Sequence, residues 1–192
     1  MNFIEANGVW LRYAVEGAGK PVVLIHEMGG SMESWGLVAP LLSGKRRVVR
    51  YDTRGAGFSE KIRGVLTIDT MAEDLIALLD KAGIKEQVAL SGTAVGGGIA
   101  LHTAFRFPQR IAAVVVTSPA TSIPPANRDA TLARVAKFER EGVRAVFDGT
   151  AANGYPEELR GDRHRLRPGV RAGSPMTRPV SPLFTACSPT PT

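Results

Sequence analysis

The residues that could carry chemistry in this chain cluster at Leu90–Leu101, LSGTAVGGGIAL. Inside that stretch, Gly92-Thr93-Ala94-Val95-Gly96 keeps the frame G-x-S-x-G with alanine at its centre. The frame normally mounts a serine oxygen on a sharp strand-to-helix turn, where it attacks an acyl carbon. Such a turn holds its central residue at positive φ, so the flanking positions must be small. Gly92 and Gly96 meet that need, and Gly97 and Gly98 let the following helix pack close to a sheet. Ala94 supplies no heteroatom. Thr93 is adjacent, but the turn projects only its central side chain, and Ser91 lies three residues early. Neither is expected to replace the missing oxygen.

A serine mechanism also needs a base beside the nucleophile and an acid to orient that base. The three histidines are His26, His102 and His164. His26 ends an apolar run and reads as structural, His102 lies eight residues into the helix that opens at Val95, and His164 falls in an irregular tail. No two of them have metal-ligand spacing. The single Cys187 offers neither an internal disulfide nor a zinc cluster. No cofactor is expected. Glu27, in the Gly-rich stretch His26-Glu27-Met28-Gly29-Gly30, carries two readings. It is either an acid, base or polar contact at a site, or a solvent-facing loop residue.

The elements that must position these residues follow from periodicity. Alternation over Val9–Gly17 predicts an early antiparallel strand. The β-branched run Pro21–His26 predicts a buried strand, and Arg46–Asp52 another. Ser34–Leu42 has helical spacing with a serine in position to cap it. Thr67–Ile84 is the clearest helix, with Ile68, Met71, Leu75, Leu78 and Leu79 on one face and Gly83 at its end. Glu86–Ser91 then reads as a strand, Val95–Phe107 as a helix, and Arg110–Ser118 as a strand. This alternation argues for an α/β fold with a mostly parallel sheet and flanking helices. Residues 127–147 read as helical with a break near Gly142.

Three segments, in order and each at a strand end, resemble the α/β-hydrolase family. They are LIHEMGGSMESW, where the family usually has His-Gly; YDTRGAGFS, similar to the family's Tyr-Asp-x-Arg-Gly-x-Gly-x-Ser loop; and LSGTAVGGGIALHTAFRFPQRIAAVVVTSP. The resemblance covers residues 8 to 125 and looks nearest to enol-lactone hydrolases and related carboxylic-ester or carbon–carbon bond hydrolases. It implies hydrolysis of a small ester, lactone or related carbonyl compound. It also implies an oxyanion hole made by the backbone N–H groups of Met28 and Val95, neither of which depends on the missing serine. The family's chain order continues from nucleophile to acid to histidine, and this chain loses the pattern before either. The resemblance therefore implies an incomplete fold with the distal strands missing. The reading is a core over 1–125, the start of a helical cap over 126–160 and a tail over 161–192. An alternative to a hydrolase is a non-catalytic binding member, or a truncated product without activity.

Composition narrows the partners. The net charge is +6, and five arginines against Asp162 place +4 of it in residues 161–192. With no aromatic interleaving in that segment, nucleic acid is not an expected partner. No apolar run approaches the ~20 residues that span a membrane, and the N-terminus lacks a basic region followed by an apolar one. A cytoplasmic protein with a small-molecule ligand is expected, with self-association through an unpaired sheet edge. Residues 161–192 hold six of the thirteen prolines and show no periodicity. They read either as a disordered tail or as a shifted reading frame, because permitted codons for Met176–Thr192 encode, one frame away, a helix-like string opening with Asp-Pro. The nucleotide sequence distinguishes the two.

Overall fold

A computed structural model describes residues 2–142. The chain opens with a hairpin in which β1 (Asn2–Ala6) pairs antiparallel with β2 (Val9–Glu16). Asn7 and Gly8 form its turn at φ 50° and 73°, and Asn-Gly is the pair that a two-residue hairpin turn with two positive φ values favours. The runs that read as buried strands form β3 (Pro21–Ile25), β4 (Arg47–Tyr51), β5 (Val88–Thr93) and β6 (Ile111–Thr117). The six strands make one sheet in the order β1-β2-β4-β3-β5-β6. β4, β3, β5 and β6 run parallel, and the hairpin joins antiparallel through β2 and β4. The fold is therefore α/β with a mostly parallel sheet, as the strand–helix alternation predicts.

Two helices cover one face. Thr67 caps α2 (Ile68–Lys81), its side chain accepting from the Thr70 amide, and Gly83 follows the helix end at φ 74°. Met71, Leu75, Leu78 and Leu79 are buried, and Ile68 packs against them half-buried. With α3 (Val95–Arg106) they close over Val23, Ile25, Val49 and Leu90 to make the main core. Each such side chain contributes about 1.5–3 kcal/mol on burial.

The opposite face is thinner. The single helix expected over Ser34–Leu42 is instead two pieces, a tight turn at Met32–Trp35 and a short α1 (Ala39–Ser43). Gly36 follows the first piece and Pro40 opens the second, so the helical spacing is not continuous hydrogen-bonded helix. α1 buries Ala39 over Leu24 and Val48. β5 and β6 present Ala89, Ser91 and Thr93 beside their register partners Ala113, Val115 and Thr117 on this face. The last three are exposed. The helix expected over 127–147 begins as α4 (Arg128–Glu141) and ends at Gly142, φ 82°; α4 buries none of its residues. Residues 143–147 and the expected tail lie outside the described residues. Among those described, no helix is long and apolar enough to cross a membrane.

Candidate active site

The central geometry is the junction between β5 and α3. Ala94 sits there at φ 51° and ψ −117°, a conformation that costs a non-glycine residue about 1 kcal/mol or more. The turn is held by the Ala94 amide donating to Thr117 O at 3.1 Å and by the Ala94 carbonyl accepting from Ala120 N at 2.8 Å. Its glycines are sterically required. A Cβ on Gly92 would collide with the Gly96 carbonyl, and one on Gly96 with the carbonyls of Ile25 and His26. A Cβ on Gly98 would strike the Ala120 carbonyl. α3 therefore starts against the C-terminal end of β3, and its first-turn amides and positive dipole end face the same region. Thr93 lies on β5 with its hydroxyl paired to the Thr117 hydroxyl at 2.8 Å.

The loop after β3 meets this helix start. Glu27, Met28 and Gly29 from the loop line one hollow with Val95 and Ile99 from α3. Ile62, Met71 and Ala56 add apolar wall, and Arg54 reaches its edge. The structure thus brings Glu27, Met28 and Val95 to one place, with Ala94 immediately before Val95.

His26 sits at the base of the loop, buried, with both ring nitrogens engaged. Nε2 accepts from the Thr53 amide at 3.1 Å, so Nδ1 carries the proton and donates to Glu27 O at 2.7 Å. Burial pushes the imidazole below its ordinary 6.5, against the opposing pull of Glu27 and Asp52. A neutral ring with both positions filled ties β3 to the loop after β4 and leaves no free nitrogen for proton transfer.

The YDTRGAGFS loop is a second tie. Asp52 is fully buried and accepts from the Met32 amide and the Phe58 amide, each at 2.8 Å. Arg12 lies 3.3 Å from Asp52, pairs also with Glu33, and places its guanidinium 4.9 Å from the Phe58 ring. Arg54 forks onto Asp74 of α2 at 2.8 and 2.6 Å, and Asn7 donates to the same carboxylate at 2.7 Å. These acids and bases hold loops to each other, and periodicity gave no sign of the Arg12–Glu33–Asp52 grouping. Asp-x-Arg followed by two glycines was the available signal for the rest.

His102 is remote from the hollow in its bonding. Its Nε2 donates to Asp69 of α2 at 2.9 Å, and Arg106 pairs with Asp69 and Glu73. The His102 hydrogen bond is the main influence holding the Asp69 carboxyl below its ordinary 3.8, with the Arg106 charge adding to it. The group ties α2 to α3 near the surface. Among the described residues no cluster of His, Cys, Asp and Glu could hold a metal ion.

The fold and the glycine-bound turn together define a class. A family model described as the alpha/beta hydrolase fold matches residues 20–179, and the chain belongs to that family. It is 36% identical over 121 residues to a 2-hydroxymuconate semialdehyde hydrolase from Pseudomonas sp. (strain CF600), covering 61% of this chain and 42% of the relative. It is 33% identical over 118 residues to a putative carbamate hydrolase from Azorhizobium caulinodans, covering 62% and 44%. Among solved structures it is similar to an enol-lactonase from Burkholderia xenovorans LB400, with 28% identity and a TM-score of 0.74, covering 89% of this chain and 64% of that one. The chain spans less than half the length of these curated relatives.

Proposed function

We propose that the hollow binds the carbonyl group of a small ester, lactone or related compound at the backbone amides of Met28 and Val95. Ala94 leaves it without serine-type hydrolysis. The observation that carries this reading is the turn itself: Gly92, Thr93 and Gly96 frame a residue at φ 51°, and that residue, Ala94, offers only a methyl side chain. Amides fixed before the ligand arrives bind developing or partial negative charge at little reorganisation cost. The names of the relatives support the ligand class, since a semialdehyde hydrolase, a carbamate hydrolase and an enol-lactonase all act on carbonyl compounds. The described histidines do not offer a base, because His26 has both nitrogens engaged and His102 is bound to Asp69.

A second reading has water activated by Glu27, and the position of Glu27 on the hollow favours it. A panel of p-nitrophenyl acetate and a small enol-lactone separates the two, run on the full chain, Ala94→Ser and Glu27→Gln. The expected result is no wild-type turnover above buffer. Wild-type turnover that disappears in Glu27→Gln establishes the water reading instead. Outside the hollow, the outer edge of β6, with Val115 exposed beside it, is the surface proposed for self-association.

A further inference from the structure

The geometry points to Glu27 as a positioning residue whose carboxylate braces the loop that presents the Met28 amide. This assignment deepens the carbonyl-binding reading and depends on it for its functional meaning. It replaces the acid or base role with a mechanical one.

Three contacts carry it. Glu27 Oε1 accepts from the Ser34 hydroxyl at 2.9 Å, closing the loop across seven residues. The side chain lies directly over Gly30: a Cβ there would collide with Oε1 and would sit 2.6 Å from Cδ and 2.7 Å from Ser34 Oγ. Glycine at position 30 is therefore the condition for this placement of the carboxylate. Finally, the Glu27 carbonyl accepts from the Gly30 amide at 3.1 Å, making a tight turn with Gly29 at φ 83°. Met28 lies within that turn.

The far part of the same loop has its own anchors. The Met32 amide is held by Asp52, and Ser31 Oγ donates to Glu33 at 2.7 Å, which in turn pairs with Arg12. The near part, Glu27 to Gly30, borders the hollow. Among the described residues its side-chain ties are the His26 ring below and the Glu27–Ser34 bond across. A carboxylate aimed along its own loop is spent on that loop. A free carboxylate at the amides would also oppose the negative charge those amides are placed to receive. Glu27, Gly30 and Ser34 thus act as one unit, with glycine providing the space and serine the donor.

Amide hydrogen exchange by NMR on the full chain tests this in wild type, Glu27→Ala, Glu27→Gln and Ser34→Ala. Exchange at the Gly30 amide, which donates to the Glu27 carbonyl within the braced turn, is expected to rise roughly tenfold in Glu27→Ala and in Ser34→Ala, the loss of one charge-assisted hydrogen bond. Glu27→Gln keeps an oxygen for the serine and is expected to stay within about twofold of wild type. The β3 amides should not change. Unchanged exchange in both alanine variants, or Glu27→Gln exchanging as fast as Glu27→Ala, overturns the brace. Failure of the wild-type chain to bind acetate at these amides overturns the carbonyl-binding reading and leaves the exchange result standing.

Discussion

On one face of the sheet, α2 and α3 bury Leu75, Leu78, Leu79 and Ile99 completely. On the other, α1 covers Leu24 and Val48, while Ala113, Val115 and Thr117 stay exposed among the described residues. The turn at Ala94 belongs to the first face. Gly92 points toward α3, and α3 reaches the sheet through Gly96, Gly97 and Gly98. The backbone that places the Val95 amide is thus set by the better-packed half of the molecule. The Met28 amide is set by a loop tied to β2 and to the loop after β4. The Val95 arrangement does not draw on the thin face, the Met28 one meets it through Ser34 of the Met32–Trp35 piece, and neither draws on a side chain at position 94. Backbone amides persist wherever the fold does, whereas a nucleophile is lost with one side chain.

The largest test of this contrast is a truncation series followed by urea unfolding. Leu78→Ala should cost about 3–5 kcal/mol, Leu24→Ala roughly 2–3 kcal/mol, and Val115→Ala no more than ~0.5 kcal/mol. Equal losses at Leu78 and Leu24 would mean that the two faces are equally well packed, and the contrast would fail.

A smaller effect sharpens it through pH. His26 has its folded-state pKa below the ordinary 6.5 because it is buried. The unfolded chain therefore binds a proton that the native state refuses. The stability from neutral His26 is fully present above pH 6.5 and is lost as pH falls through the lower folded value, with a slope of at most about 1.4 kcal/mol per pH unit. Histidine NMR titration should show the His26 ring protonating at a pH below the ordinary 6.5, with its Nδ1 proton retained. A ring that protonates near 6.5 would show that the junction of β3 and the loop is open to water.

Much of the fold was legible because buried parallel strands and an amphipathic helix write themselves into apolar spacing. Val22–Ile25 and Met71–Leu79 are examples. β1 lies outside the expected strands, although Asn7-Gly8 is a hairpin signal, because its exposed Asn2, Phe3 and Glu5 give no clean alternation. The break at Gly36 is legible only in hindsight, since one glycine is tolerated in many helices. At the site, the glycine frame around Ala94 was readable because steric demands are local. The Glu27–Ser34 bond and the pairing of Arg12 with Glu33 and Asp52 were not. The first closes an irregular loop that carries no periodicity, and the second joins polar residues far apart in sequence, where no periodicity records which of several acids a buried arginine will meet.

The central claim is that the amides at Met28 and Val95 form a working anion site although the nucleophile is absent. Titration of the ¹⁵N-labelled full chain with sodium acetate, followed by amide NMR, tests it most directly. Saturable shifts are expected at Met28, Gly29, Val95 and Gly96, with the β1–β2 hairpin unmoved. Shifts absent from those amides, or spread evenly over the surface, would contradict it.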